Sequence, residues 1–288
     1  MTRFWLCFAA LSTLAAQSEF RTEGRLVLVN AGVYDDDNRF RPGLGLANFQ
    51  LSDEGTVVPL HSVVMEEVPI STVILLDVSR SMADHLADAR EALGRYLDRA
   101  RPGDEFCLLV FSDPAPGGCE FQRDPGAVRQ RALPMAAEGG TALNDAILRA
   151  LKVTRRARNA RRAVLILSDG LDNASARGWN EVRRQALETD AVLYAVTLPA
   201  WRGRDVWKTV RLGKLAEETG GRMLTAETTR ELPAALDRLE VRLQYLLAFV
   251  PPAPVPARPW RTVRVKLQGP AARNLRVYWR HQYSALVR

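Results

Sequence analysis

Three largely apolar runs constrain this chain more than any other feature: TVILLDV (72–78), AVLILS (163–168) and AVLYAVTL (191–198). A strand that is apolar on both faces needs helices above and below it, the situation of a central strand in a parallel sheet. The stretches between the runs supply those helices. In ADHLADAREALGRYLDRA, Leu86, Ala89, Leu93, Tyr96 and Leu97 recur at helical spacing, and Pro102 with Gly103 ends the pattern. Residues 127–133, 143–154, 181–188, 206–219 and 231–247 read as further helices, and GRMLTA (221–226) as a short strand. This alternation predicts an α/β domain over 70–248, a doubly wound and mainly parallel sheet with helices on both faces.

The flanks have another texture. Residues 17–69 show no helical period but offer RLVLVNAGVYD, ANFQLSDE and TVVPLHSVVMEE as short strands. Beyond the proline-rich FVPPAPVPARPW, read as a stiff linker, residues 249–288 offer TVRVKLQ and LRVYWRHQY. The two ends of an α/β domain commonly lie close together, so both flanks are expected to build one small all-β domain.

At the N-terminus one positive charge, Arg3, precedes an apolar run over 4–16 and a switch to polar residues. That is the pattern of a secretory signal peptide, with cleavage expected after Ala16. No later stretch reaches transmembrane length, so an exported mature chain is expected. It retains Cys107 and Cys119, and an oxidising compartment permits a disulfide. If 105–111 and 118–121 pair as a hairpin centred near Asp113, the two cysteines face each other; the other reading is two buried free thiols. The net charge of +7, from 40 basic and 33 acidic residues, raises the question of nucleic acid. The one dense cluster, Arg155, Arg156, Arg158, Arg161 and Arg162, has no interleaved aromatics for stacking on bases. It reads as a solvated helix end, and no nucleic-acid partner is expected.

Ligands of an open parallel sheet gather at the carboxyl ends of the strands, near the switch in strand order. Three features converge there. LLDVSRSM carries Asp77, Ser79 and Ser81 out of the first core strand, GGTALND places Thr141 ahead of a helix, and SDG ends another strand at Asp169 and Gly170. Two carboxylates and three hydroxyls, with no His or Cys, suit a hard cation: Mg²⁺ best, with Mn²⁺ or Ca²⁺ as alternatives. Arg80, Gly140 and Gly170 would form the rim. Capping of a helix N-terminus could explain one or two of these groups, but not all three loops together. Asp145 reads as a helix-start acid or a support for the ligands.

DVSRS, the GGT threonine and SDG together resemble the metal-ion-dependent adhesion site of von Willebrand factor type A domains, over roughly residues 68–247. The family pattern D-x-S-x-S falls on Asp77, Ser79 and Ser81, its threonine on Thr141 and its second aspartate on Asp169. A narrower resemblance is to exported bacterial proteins of this kind, carried by Gly45, Leu46, Phe49 and Leu51, by RPGD (101–104), by GGTALNDA (139–146), by TGGR (219–222) and by QYLL (244–247). The resemblance implies a periplasmic or extracellular bacterial protein that binds a protein partner, with a bound Mg²⁺ taking an Asp or Glu carboxylate of that partner. The alternatives are a metal-independent scaffold of the cell envelope and, further off, a metal-dependent hydrolase. No G-x-x-x-x-G-K-[ST] or G-x-S-x-G pattern occurs, so no enzyme is expected.

Overall fold

The computed structural model describes residues 26–113, 118–169, 172–197, 206–252 and 260–284. The expected signal peptide, Gly170 and most of the proline-rich stretch lie outside them. Four strands come first: β1 (Val27–Tyr34), β2 (Phe49–Asp53), β3 (Thr56–Val58) and β4 (Leu60–Glu66). The α/β part follows with β5 (Ile70–Asp77), α1 (Leu86–Asp98), β6 (Glu105–Phe111), α2 (Pro125–Ala132), α3 (Leu143–Thr154), β7 (Arg161–Ser168) and α4 (Trp179–Leu187). It closes with β8 (Val192–Thr197), α5 (Val206–Glu218), β9 (Met223–Thr225) and α6 (Leu232–Arg238). The chain then returns to β structure with β10 (Gln244–Phe249), β11 (Trp260–Leu267), β12 (Arg276–Trp279) and β13 (Gln282–Ser284).

The central sheet has the order β6-β5-β7-β8-β9, and every pairing in it is parallel. β5 leads to β6 on one side and to β7 on the other, so the strand order reverses between β5 and β7. All eight residues of β5 are buried. Its side chains alternate between two cores: Ile74 and Leu76 pack toward α1 and α6, while Val73 and Leu75 pack toward α3 and α4. This is the doubly wound architecture that the apolar runs predict.

The two flanks pair with each other. Sheets ordered β12-β1-β10-β4 and β13-β11-β2-β3 face one another over Val29, Val33, Leu51, Leu247, Phe249 and Val265. The expectation of a helix over 231–247 is corrected here. α6 stops at Arg238, Glu240 turns the chain with φ 46°, and Gln244–Phe249 becomes an interior strand between β1 and β4. Leu and Arg favour helix only weakly, and burying Tyr245, Leu247 and Phe249 in the second core outweighs that preference. The α/β part therefore ends before Gln244 rather than at 248. The expected strand over 118–121 is also absent, and a single bridge, Phe106 with Gln122, stands in its place. Cys107 and Cys119 are nonetheless joined in a disulfide, with Cα atoms 5.6 Å apart.

Buried arginines fasten the sandwich to the α/β part. Arg222 lies under the Tyr34 ring, 3.6 Å from its centroid, and donates to Asn38 Oδ1 (3.2 Å), Asn38 O (2.9 Å) and Arg238 O. Arg280 donates to Thr189 O and Leu187 O (2.7 and 2.8 Å), satisfying carbonyls left open at the end of α4. Arg161 donates to Val241 O at 2.6 Å. Each guanidinium meets main-chain acceptors, which offsets part of its desolvation.

Candidate metal centre

Asp77 ends β5 and Asp169 follows β7, the two strands between which the order reverses. The chain leaves Asp77 in a tight turn: Ser79 N–H donates to Asp77 Oδ1 (2.9 Å), and the Ser79 and Ser81 hydroxyls lie 3.0 Å apart. Alternate residues of D-x-S-x-S thus share one side of the turn. Asp77 and Ser79 are buried and Ser81 is exposed, which grades the cluster from interior to surface.

The second loop is tied to the first through the backbone. Glu138 N–H donates to Val78 O (2.8 Å), Arg80 N–H to Gly139 O (3.2 Å) and Asp113 N–H to Gly140 O (2.9 Å). Gly139 has φ +77°, and a Cβ there would lie 2.1 Å from Asp113 O. Only glycine fits that approach. These contacts hold Thr141, itself buried, at the head of α3.

A third loop, after β7, closes on Thr141. Thr141 N–H donates to Asn173 Oδ1 (2.8 Å), and Asn173 N–H returns a bond to Thr141 O (3.0 Å). Asp145 accepts the N–H groups of Ala176 (2.9 Å) and Arg177 (3.0 Å), which ties the third loop to the start of α3. Asn144 Nδ2 donates to Asp172 Oδ2 (3.1 Å). Sequence reasoning passed over Ser168, whose hydroxyl donates to Asp77 Oδ2 at 2.5 Å, and over Asn173, Asn144 and Asp172. Ser168 had a visible signal in SDG; the others act across loops whose contacts no local pattern encodes.

Burial raises the pKa of Asp77 above the usual carboxylate range. The hydrogen bonds from Ser168 and Ser79 pull it back, the nearby charge of Asp169 adds to the rise, and the result is about 6. Two buried acids that repel each other gain from a cation between them. The donors are all oxygen, the set that Mg²⁺ prefers, and the residues present fit such an ion. Among the described residues, no group of three or more His, Cys, Asp and Glu gathers at one point; a cation here would depend on hydroxyls for its remaining ligands. Arg80 is exposed, and no acid among the described residues is within ion-pair distance of it. Gly140 lies against Asn173 and Ala174.

A parallel sheet wound on both faces, with carboxylates and hydroxyls at its switch point, defines a Rossmann-like α/β ligand-binding fold. Comparison agrees with that class: residues 72–171, within the α/β part, match the model of the von Willebrand factor type A domain. Inter-alpha-trypsin inhibitor heavy chain H4 of Homo sapiens is 28% identical over 170 residues, covering 54% of this chain. The match spans only 18% of that protein's length. Among solved structures, a von Willebrand factor type A protein from Catenulispora acidiphila aligns with TM-score 0.51 at 12% identity. It covers 90% of this chain and 75% of the other, a likeness of fold.

Proposed function

We propose that this chain is a metal-dependent protein-binding module, in which Asp77, Ser79, Ser81, Thr141 and Asp169 hold a Mg²⁺ and an acidic residue of a partner protein completes its coordination. The observation that carries this reading is the pair of buried carboxylates at the switch point, with the Ser79 amide and the Ser168 hydroxyl on Asp77, and with the Thr141 loop bonded to the loops on either side of it. The ion would supply the positive charge that the two acids lack and an open position for a carboxylate oxygen. The chain's own residues do the rest. Ser168 and the Ser79 amide fix the rotamer of Asp77, Asn173 fixes Thr141, and the exposed Arg80 is positioned to receive a second oxygen of the partner's acid. Binding, not catalysis, is the activity proposed.

The Cys107–Cys119 disulfide supports an exported, periplasmic or extracellular setting. The test is a melting curve of chelator-treated protein with Mg²⁺ or Mn²⁺ added. Ligand at a hundred times its dissociation constant stabilises by about 2.7 kcal/mol, and Asp77→Ala should remove the response. An unchanged melting temperature at millimolar metal would sink the metal-dependent reading.

A further inference from the structure

Some exposed arginines have acidic partners, while others, such as Arg39, Arg123 and Arg273, stand singly without one among the described residues. Arg95, Arg177 and Arg184 pair with glutamates one helical turn away, Arg99 with Asp237 and Glu240, Arg101 with Glu67 and Arg129 with Asp98. The end of α3 differs in gathering several unpartnered cations within a few residues. Lys152, Arg155, Arg156 and Arg158 are exposed, and none is in ion-pair contact with an acid among the described residues. Half-buried Arg162 has a buried Nε with no hydrogen-bond partner. The α3 dipole favours cations in its last turn, which accounts for Lys152 and Arg155. It does not account for Arg158 and Arg162, which lie beyond the helix.

The backbone under these side chains is fastened from below. Buried Glu105 accepts the Arg158 N–H and the Ser71 hydroxyl, both at 2.7 Å. Asn159 N–H donates to Ser71 Oγ (3.2 Å), and its side chain donates to Gly103 O (3.0 Å). Ala157 is buried in the turn. The fold thus holds a rigid turn that presents unpaired cations to solvent, so little ordering remains to oppose a partner.

Exposed side chains on a turn cannot enclose a small anion, and residues 152–162 contain no aromatic for stacking on bases. Guanidinium forks match phosphate oxygens, and a plane of phosphates suits several of them at once. We propose that the turn after α3 docks on an anionic phospholipid surface. β7 begins at this turn and ends next to Asp169, and its eight residues span about 26 Å. Docking here would hold the strand ends that carry Asp77 and Asp169 away from the lipid. The inference does not depend on a metal.

The test is co-sedimentation of the purified chain with phosphatidylcholine vesicles, with and without phosphatidylglycerol. Binding should require phosphatidylglycerol and weaken with added salt. Replacing Arg155, Arg156 and Arg158 together by Gln should weaken it on the order of a hundredfold, about fivefold for each charge near the surface. Removing the same charge from the paired Arg95, Arg177 and Arg184 should change it less than about twofold. All six side chains are exposed, so melting temperatures should match wild type. Equal losses in the two variants would reduce the effect to net charge and overturn the proposal. Equal binding to neutral vesicles would overturn it by assigning binding to the apolar run 4–16. Triple-sensitive binding of soluble polyphosphate without vesicle binding would overturn it in favour of a free polyanion.

Discussion

Replacing Asp77 by Asn should make the metal-free protein more stable at pH 7.5, although the residue is buried and hydrogen-bonded. Its pKa is about 6 in the fold against 3.8 as the reference for the unfolded chain. The folded state therefore holds the proton more tightly. Stability from this group is fully present below pH ~4, is lost as pH rises toward ~6, and is flat above that. A rise of roughly two units at about 1.36 kcal/mol each corresponds to about 3 kcal/mol of destabilisation at pH 7.5. Asn keeps an oxygen to accept the Ser79 N–H, while the altered bond to Ser168 returns about 1 kcal/mol. The net gain is about 2 kcal/mol, or about 4–8 °C in melting temperature for a domain of this size. The assay is thermal or urea unfolding of chelator-treated wild type and Asp77→Asn at pH 7.5 and pH 5. The difference should fall by about two-thirds at pH 5, because the linkage contribution halves while the lost Ser168 bond does not change, and saturating Mg²⁺ should reverse the order by stabilising wild type alone. If Asp77→Asn is the less stable protein at pH 7.5 without metal, the carboxylate's hydrogen bonds outweigh its desolvation, and the electrostatic case for a cation fails.

Gly139→Ala should destabilise the fold by about 1–3 kcal/mol, because its Cβ would meet Asp113 O at a positive φ; it should also lower metal affinity in calorimetry with Asp77 intact. Arg222→Ala leaves the carbonyls of Asn38 and Arg238 without their donor and empties a fully buried site. It should cost at least about 3 kcal/mol in urea unfolding. Reducing Cys107–Cys119, which are 12 residues apart, should cost about 3 kcal/mol by loop entropy, read as a lower midpoint under dithiothreitol.

The strands β5, β7 and β8 were legible because burial on both faces leaves a continuous apolar run that no surface helix carries. The turn Asp77–Ser79–Ser81 was legible because its residues are local. Gln244–Phe249 was not. VRLQYLLAF satisfies a helical and a strand period alike, and what decides between them is a partner, β1, more than two hundred residues earlier. The same limit hid Asn173 and Asp172, whose side chains act on Thr141 and Asn144 across separate loops. Asp104 of RPGD and Gly221 of TGGR show what such motifs encode. Asp104 accepts the N–H groups of Ile70 and Arg101, and a Cβ on Gly221 would lie 1.9 Å from Leu193 O.

Gln244 and Glu66 are register partners in β10 and β4, and their side chains meet at 3.1 Å. Everything between them is the α/β part. An excursion that leaves and re-enters at neighbouring positions favours one order of assembly. While the excursion is unfolded, joining β10 to β4 requires closing a very long loop, at a cost that grows with the logarithm of its length. Once the parallel sheet has formed, its own packing brings the two ends side by side and that cost has already been met. Pairing of β10 with β1 and β4 is therefore expected to follow formation of the parallel sheet, and a fault that delays the sheet would leave β1 and β4 as unpaired edges open to the wrong neighbours.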